Sequence, residues 1–90
     1  MTRAIITVVG KDAVGIIAKV CGYLADQQIN ILDISQTLVQ EFFNMMMIVD
    51  LEKCTKDFDV VSTELSQIGS DTGVQVKCQL EAIFNKMHRI

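Results

Sequence analysis

An α+β sandwich is predicted for this 90-residue chain, with one antiparallel sheet and helices packed on one of its faces. Two observations lead there. The apolar residues fall into blocks whose period runs strand, helix, strand, strand, helix, strand. The first and third strand blocks are apolar on both alternating faces, whereas the second and fourth alternate, as central and edge strands of a single sheet should.

The first strand, Arg3 to Val9, is a β-branched run closed by Gly10. From Ala13 the period changes. Ala13, Ile16, Ile17, Val20, Cys21 and Leu24 follow helical spacing, with Lys19, Tyr23 and Asp26 opposite and Asp12 placed as N-cap. Ile29 to Val39 returns to alternation, with Leu32, Ile34 and Leu38 on one side and Asp33, Ser35 and Thr37 on the other. Gln40 and Glu41 then connect it to Phe43–Val49 as an antiparallel hairpin. Phe58, Val61, Leu65 and Ile68 mark a second helix ending near Gly69 and Gly73, and Val74, Val76, Cys78 and Leu80 mark a half-exposed edge strand.

This βαββαβ order has a common compact solution, the ferredoxin-like sandwich of a four-stranded antiparallel sheet with two helices on one face. Its other face stays open, so Ile5, Thr7 and Val9, or their alternates, face outward. Leu80, Ile83, Phe84 and Met87 lie at helical spacing, which predicts a short C-terminal helix covering that face or a partner. The expected division is therefore one domain over 1–80 with a helical extension over 81–90.

Half the residues are apolar and none is proline, which excludes a disordered chain. So large an apolar share in so small a domain points to surface covered by a second subunit. A net charge of −3 with scattered Lys and Arg argues against nucleic acid. No run reaches the roughly 18 to 20 apolar residues of a membrane span, and Met1-Thr2-Arg3-Ala4 leads straight into a strand, so no membrane association and a cytoplasmic location are expected. Cys21, Cys54 and Cys78 form no Cys-x-x-Cys pair and read as reduced thiols, with Cys54, between Lys53 and Lys56, the candidate reactive one. Met45, Met46 and Met47 alternate across a strand and cannot converge on one ion, and His88 has no ligand partner at fixed spacing, so neither a metal nor a cofactor is expected. One histidine and scattered acids assemble no nucleophile and base, hence no enzyme is predicted.

The segment Val8-Val9-Gly10-Lys11-Asp12-Ala13-Val14-Gly15-Ile16-Ile17-Ala18-Lys19-Val20, followed by Leu24-Ala25 and Ile29-Asn30-Ile31-Leu32-Asp33-Ile34, resembles the signature of the ACT domain. Over nearly its whole length the chain is similar to the stand-alone single-domain ACT proteins of bacteria and archaea. That resemblance implies a non-catalytic regulatory module acting as a homodimer. Its amino-acid ligand would sit between the strand-to-helix loop of one subunit and the start of the second strand of the other. Carried over, it names Asp12, Val14, Gly15 and Ile16 on one side and Asn30 and Ile31 on the other, with Lys11 beside the loop. Many members have Arg-Pro after the aspartate; here Ala13-Val14 removes a rigid turn and a cation.

The same residues have a physical reading of their own. Free N–H groups at a helix start favour an anion, and Gly15 lets a carboxylate approach the backbone. Asp12 and Asn30 suit an ammonium, so a zwitterion fits the pair. The alternative is that Asp12 is only a helix cap, Gly15 a packing residue and Asn30 a turn residue, in a dimerisation or docking module without a ligand.

Overall fold

The computed structural model describes residues 2–11 and 15–81, as β1 (Arg3–Gly10), α1 (Ile16–Asp26), β2 (Asn30–Val39), β3 (Phe42–Asp50), α2 (Phe58–Thr72) and β4 (Gln75–Leu80). The strands form one sheet in the order β2-β3-β1-β4, every neighbouring pair antiparallel. The two strands apolar on both faces are thus the central ones. Past Glu81 the expected C-terminal helix lies outside the described residues.

Pleat parity sorts the sheet into two faces. Ala4, Ile6 and Val8 of β1, Phe43, Met45, Met47 and Val49 of β3, and Val76 and Cys78 of β4 point to one side. There they meet Ile16, Val20 and Leu24 of α1 and Val61 and Leu65 of α2 in a single core. The other side carries Ile5, Thr7 and Val9, with Val9 40% exposed, beside Met46 and Ile48. The methionine run divides accordingly: Met45 and Met47 are core residues, and Met46, 41% exposed, lies on the open face.

Two close approaches fix how α2 lies on the sheet. A Cβ at Gly69 would come within 2.8 Å of the Val74 carbonyl oxygen and of a Val76 methyl. At Gly10 it would come within 2.4 Å of Val74. Glycine here removes the side chain that would hold α2 and the end of β1 away from the Val74 segment. Gly69 is therefore a contact inside the helix, and Gly73, at φ 79°, is the left-handed residue that ends it.

The structure corrects the sequence reading in four places. α1 starts at Ile16, three residues after the expected Ala13, and its N-cap position is Gly15, with φ 84°, instead of Asp12. Tyr23, expected outward, packs against the core, and its hydroxyl donates to Glu64 of α2 at 2.6 Å. A β-bulge between Ile31 and Asp33 puts Leu32 out of phase with Ile34 and Leu38, whose partners across the hairpin are Met47 and Phe43. Finally, β2 is exposed along both faces, only Ile31 being half-buried, because the two helices do not reach over it.

Glu64 is the hub of the helix layer. It accepts hydrogen bonds from Tyr23 of α1 and from the Lys56 ammonium at 2.8 Å, so one carboxylate ties both helices and the segment before α2. The Lys56 bond first, then that of Tyr23, holds its pKa below the ordinary value. Burial and the bond to Glu64 push the Tyr23 phenol well above its usual range, and burial pushes the Cys78 thiol up to about 11. The signs follow from linkage. Raised acid pKa values stabilise the fold fully below their unfolded values and lose that contribution as pH rises through the folded ones; the lowered Glu64 value contributes above its unfolded value and loses it as pH falls. The thermal midpoint is therefore expected to fall as pH rises from 9 towards 11, with Cys78 contributing about 1–2 kcal/mol. Midpoints measured for the wild type and Cys78→Ala check this: the variant should lose part of the alkaline decline.

Candidate functional site

At the end of β1, Lys11 leaves the sheet with its ammonium 5.8 Å from the centre of the Phe42 ring, a cation–π contact with the first residue of β3. Asp12 and Val14 lie outside the described residues. Gly15 then opens α1 in a left-handed conformation, and its carbonyl accepts the Lys19 N–H at 3.0 Å as the first turn of the helix. A Cβ there would meet nothing within 4 Å, so open space borders its backbone. Any other residue would be strained at this φ even though there is room for its side chain. Ile16, 1% exposed, is a core side chain; what it offers a ligand is backbone.

The second half of the candidate site lies elsewhere. Asn30 opens β2 opposite Asp50, the last residue of β3, and is exposed; Ile31 beside it packs against the core. Gly10, next to the loop, pairs with Phe43 at the other end of β3. Seven residue steps of β3 separate those positions, about 23 Å at 3.3 Å per step. One chain therefore does not bring Gly15 and Asn30 together.

Two hollows lie near these residues. One, of about 450 Å³, runs across the open face over Thr7, Val9, Asn44 and Met46. The other, of about 610 Å³, lies where α1 turns into β2 and is lined by Ala25, Gln28, Ile29, Asn30, Asp50 and Lys53. Of the second set only Asn30 was a candidate from sequence. Asp50 and Lys53 enter through the hairpin register, and Gln28 through the turn it makes at φ 58°. Around the loop end Leu38, Val39 and Phe42 are 71%, 56% and 46% exposed; Val39 pairs with Phe42 on the open side of the sheet, and Leu38 pairs with Phe43 on the other. Cys54 is half-buried, its thiol directed at the Lys56 carbonyl at 3.8 Å, and among the described residues no group of acidic, histidine or cysteine side chains could hold a metal. No described helix is long and apolar enough to cross a membrane.

The fold is a ferredoxin-like sandwich with an open glycine at the first strand-to-helix junction and an exposed asparagine opening an edge strand, an architecture shared with a family of regulatory ligand-binding modules. The chain belongs to the ACT domain family, whose model matches residues 2–79. It is 57% identical over 90 residues to a UPF0237 protein of Bifidobacterium longum, covering 100% of both chains. A UPF0237 protein of the archaeon Methanocaldococcus jannaschii is 44% identical over 90 residues, again covering 100% of both. Among solved structures, an ACT domain protein from Streptococcus pneumoniae superposes with a TM-score of 0.81 at 43% identity, over 92% of this chain and 93% of that one. Stand-alone relatives of this kind thus occur in bacteria and in archaea.

Proposed function

We propose that this protein is a non-catalytic cytoplasmic sensor that binds a small amino acid or related zwitterion between the subunits of a homodimer. The observation that carries the reading is the placement of the two half-sites at opposite ends of β2, the edge strand. Its outer edge is unpaired, ten residues long, and carries Leu32, Ile34, Leu38 and Val39 with only Asp33 as a charge. Such an edge is a template for a second chain. Two copies pairing antiparallel through β2 invert one relative to the other. That sets the Asn30 end of one chain beside the Val39 end of its partner, and the Val39 end is where Lys11, Phe42 and Gly15 lie. A two-fold pairing of this kind is self-complementary and forms both sites at once.

Within such a site, the open backbone at Gly15 suits a carboxylate, and the Asn30 amide oxygen suits an ammonium. Occupancy acts on a partner protein only if the ligand favours one arrangement of the dimer over another, since differential affinity alone shifts an equilibrium.

A thermal-shift panel of the common amino acids on the wild type and Asn30→Ala tests the reading. A ligand at ten times its Kd adds about 1.4 kcal/mol, roughly 4 to 10 °C for a domain of this size. The expected result is a selective shift that Asn30→Ala abolishes without changing the unliganded midpoint by more than about 0.5 kcal/mol, Asn30 being exposed. A flat panel on folded protein would leave a docking module, with the open sheet face as its natural contact.

A further inference from the structure

Ile5 is buried, at 6% exposure, yet it is not part of the core. It points to the side of the sheet away from both helices, with Ile48 and Gln79 as its neighbours on β3 and β4. Val9 is the internal control. It lies on the same strand and the same side, also between two paired strands, and is 40% exposed. Sheet neighbours alone therefore do not account for the burial of Ile5, and something lies over that end of the face. Two hollows mark how far the cover reaches. The 450 Å³ hollow opens over Thr7, Val9, Asn44 and Met46, and a smaller one, of about 50 Å³, opens over Asp33, Ser35, Met46 and Ile48. Between them the covered patch is Ile5, flanked by the half-buried Ile48 and Gln79.

The path of the chain points to what that cover is. β4 ends at Leu80, opposite Ala4 and so at the Ile5 end of β1. Arg3, on the same side of β1 as Ile5, pairs with Glu81 at 3.7 Å, and Glu81 is already helical. The chain thus leaves the sheet at the buried end and on the open side. Residues 82–90 lie outside the described ones; their sequence sets Ile83, Phe84, Met87 and Ile90 at helical spacing and contains no acidic residue. A helix over them is about 13 Å long at 1.5 Å per residue, enough to cross β1 and β3 at about 4.8 Å per strand. Beyond Ile48 on this side stands Asp33, exposed, a carboxylate of the sign that Lys86 and Arg89 complement. We propose that residues 82–90 fold back as a helix over their own sheet and seat Ile83, Phe84 and Met87 on Ile5 and Ile48. The segment of a second copy competes poorly for this seat, because the resident one is tethered beside it without a linker. The face is then closed at one end by the chain itself, and a partner docking on it is confined to the hollow over Thr7, Val9, Asn44 and Met46.

Nuclear Overhauser contacts in the full wild-type chain test this directly. The Phe84 ring is expected to contact the methyl groups of Ile5 and Ile48. A mixture of isotope-labelled and unlabelled chains, filtered for contacts between the two, should show none of these. Thermal melts supply the energetic arm: Phe84→Ala should lower the midpoint by roughly 5–15 °C, the range expected for uncovering an aromatic side chain in a domain of this size. The loss caused by Ile5→Ala should shrink by at least about half in the Phe84→Ala background, whereas Val9→Ala, outside the covered patch, should add independently. Contacts seen only between chains would assign the seat to a second copy, and their absence would assign it to neither. Either result overturns the proposal, as do additive losses for Ile5→Ala and Phe84→Ala.

Discussion

Leu65→Ala is expected to lower the thermal midpoint by roughly 10–30 °C. Leu65 is fully buried in α2, at the centre of the core that joins both helices to the sheet. Truncating such a side chain costs the lost transfer energy plus the cavity left behind, about 2–5 kcal/mol. A domain of 90 residues has a total stability of only about 5–13 kcal/mol, and each kcal/mol moves its midpoint by about 4–8 °C. Leu38→Ala is the matched control: the same atoms are removed from a side chain 71% exposed, where the cost to the single chain stays within about 0.5 kcal/mol. Denaturant melts of the two variants should differ in midpoint concentration at equal slope. Equal losses would mean that the core is not centred where Leu65 stands.

On the proposed pairing through β2, Ile34→Lys is expected to convert a two-chain species into one of single-chain mass, 10.0 kDa. Ile34 and Ser35 occupy the middle of β2, so two copies paired along the whole strand bring both close to the two-fold axis. A lysine there sets two ammonium groups against each other and blunts the edge in the way that natural edge strands are blunted. Because Ile34 is 42% exposed in the single chain, its replacement leaves the fold nearly unchanged, and the effect should fall on association. Light scattering after size exclusion measures it. A variant that keeps a two-chain mass rules out pairing through β2, as does a wild type of single-chain mass.

The strand order was legible in the sequence because burial on two faces leaves a different pattern from burial on one. Arg3–Gly10 and Phe42–Asp50 carry apolar residues at consecutive positions; Gln75–Leu80 does not. The start of α1 was misread for a local reason. Aspartate is a good cap, so Asp12 before an apolar period suggested an N-terminus, whereas the left-handed turn at Gly15 places it three residues later. Tyr23 was misread because helical spacing assigns a residue to one face only. A long side chain on the flank of α1 reaches the neighbouring helix, and its partner Glu64 is 41 residues away in sequence. The Asn30 half of the candidate site was named through family resemblance. Its neighbours Asp50 and Lys53 were reachable only through pairing: a two-residue turn at Gln40 and Glu41 folds β2 back so that its first residue meets the last of β3.

The bulge in β2 makes one residue of that strand structurally redundant. Ile31 faces the helices with Val49, and Asp33 faces the open side with Ile48, so the faces alternate correctly across Leu32 as though it were absent. Removing Leu32 would leave a regular strand with every remaining side chain on its present face; removing any other interior residue would turn one half of the strand over. The interior of β2 thus has a single point at which its length can change by one without inverting what lies on either side. That point stands directly between Asn30–Ile31 and the stretch that follows it, so the two parts of the strand can shift in phase independently of each other.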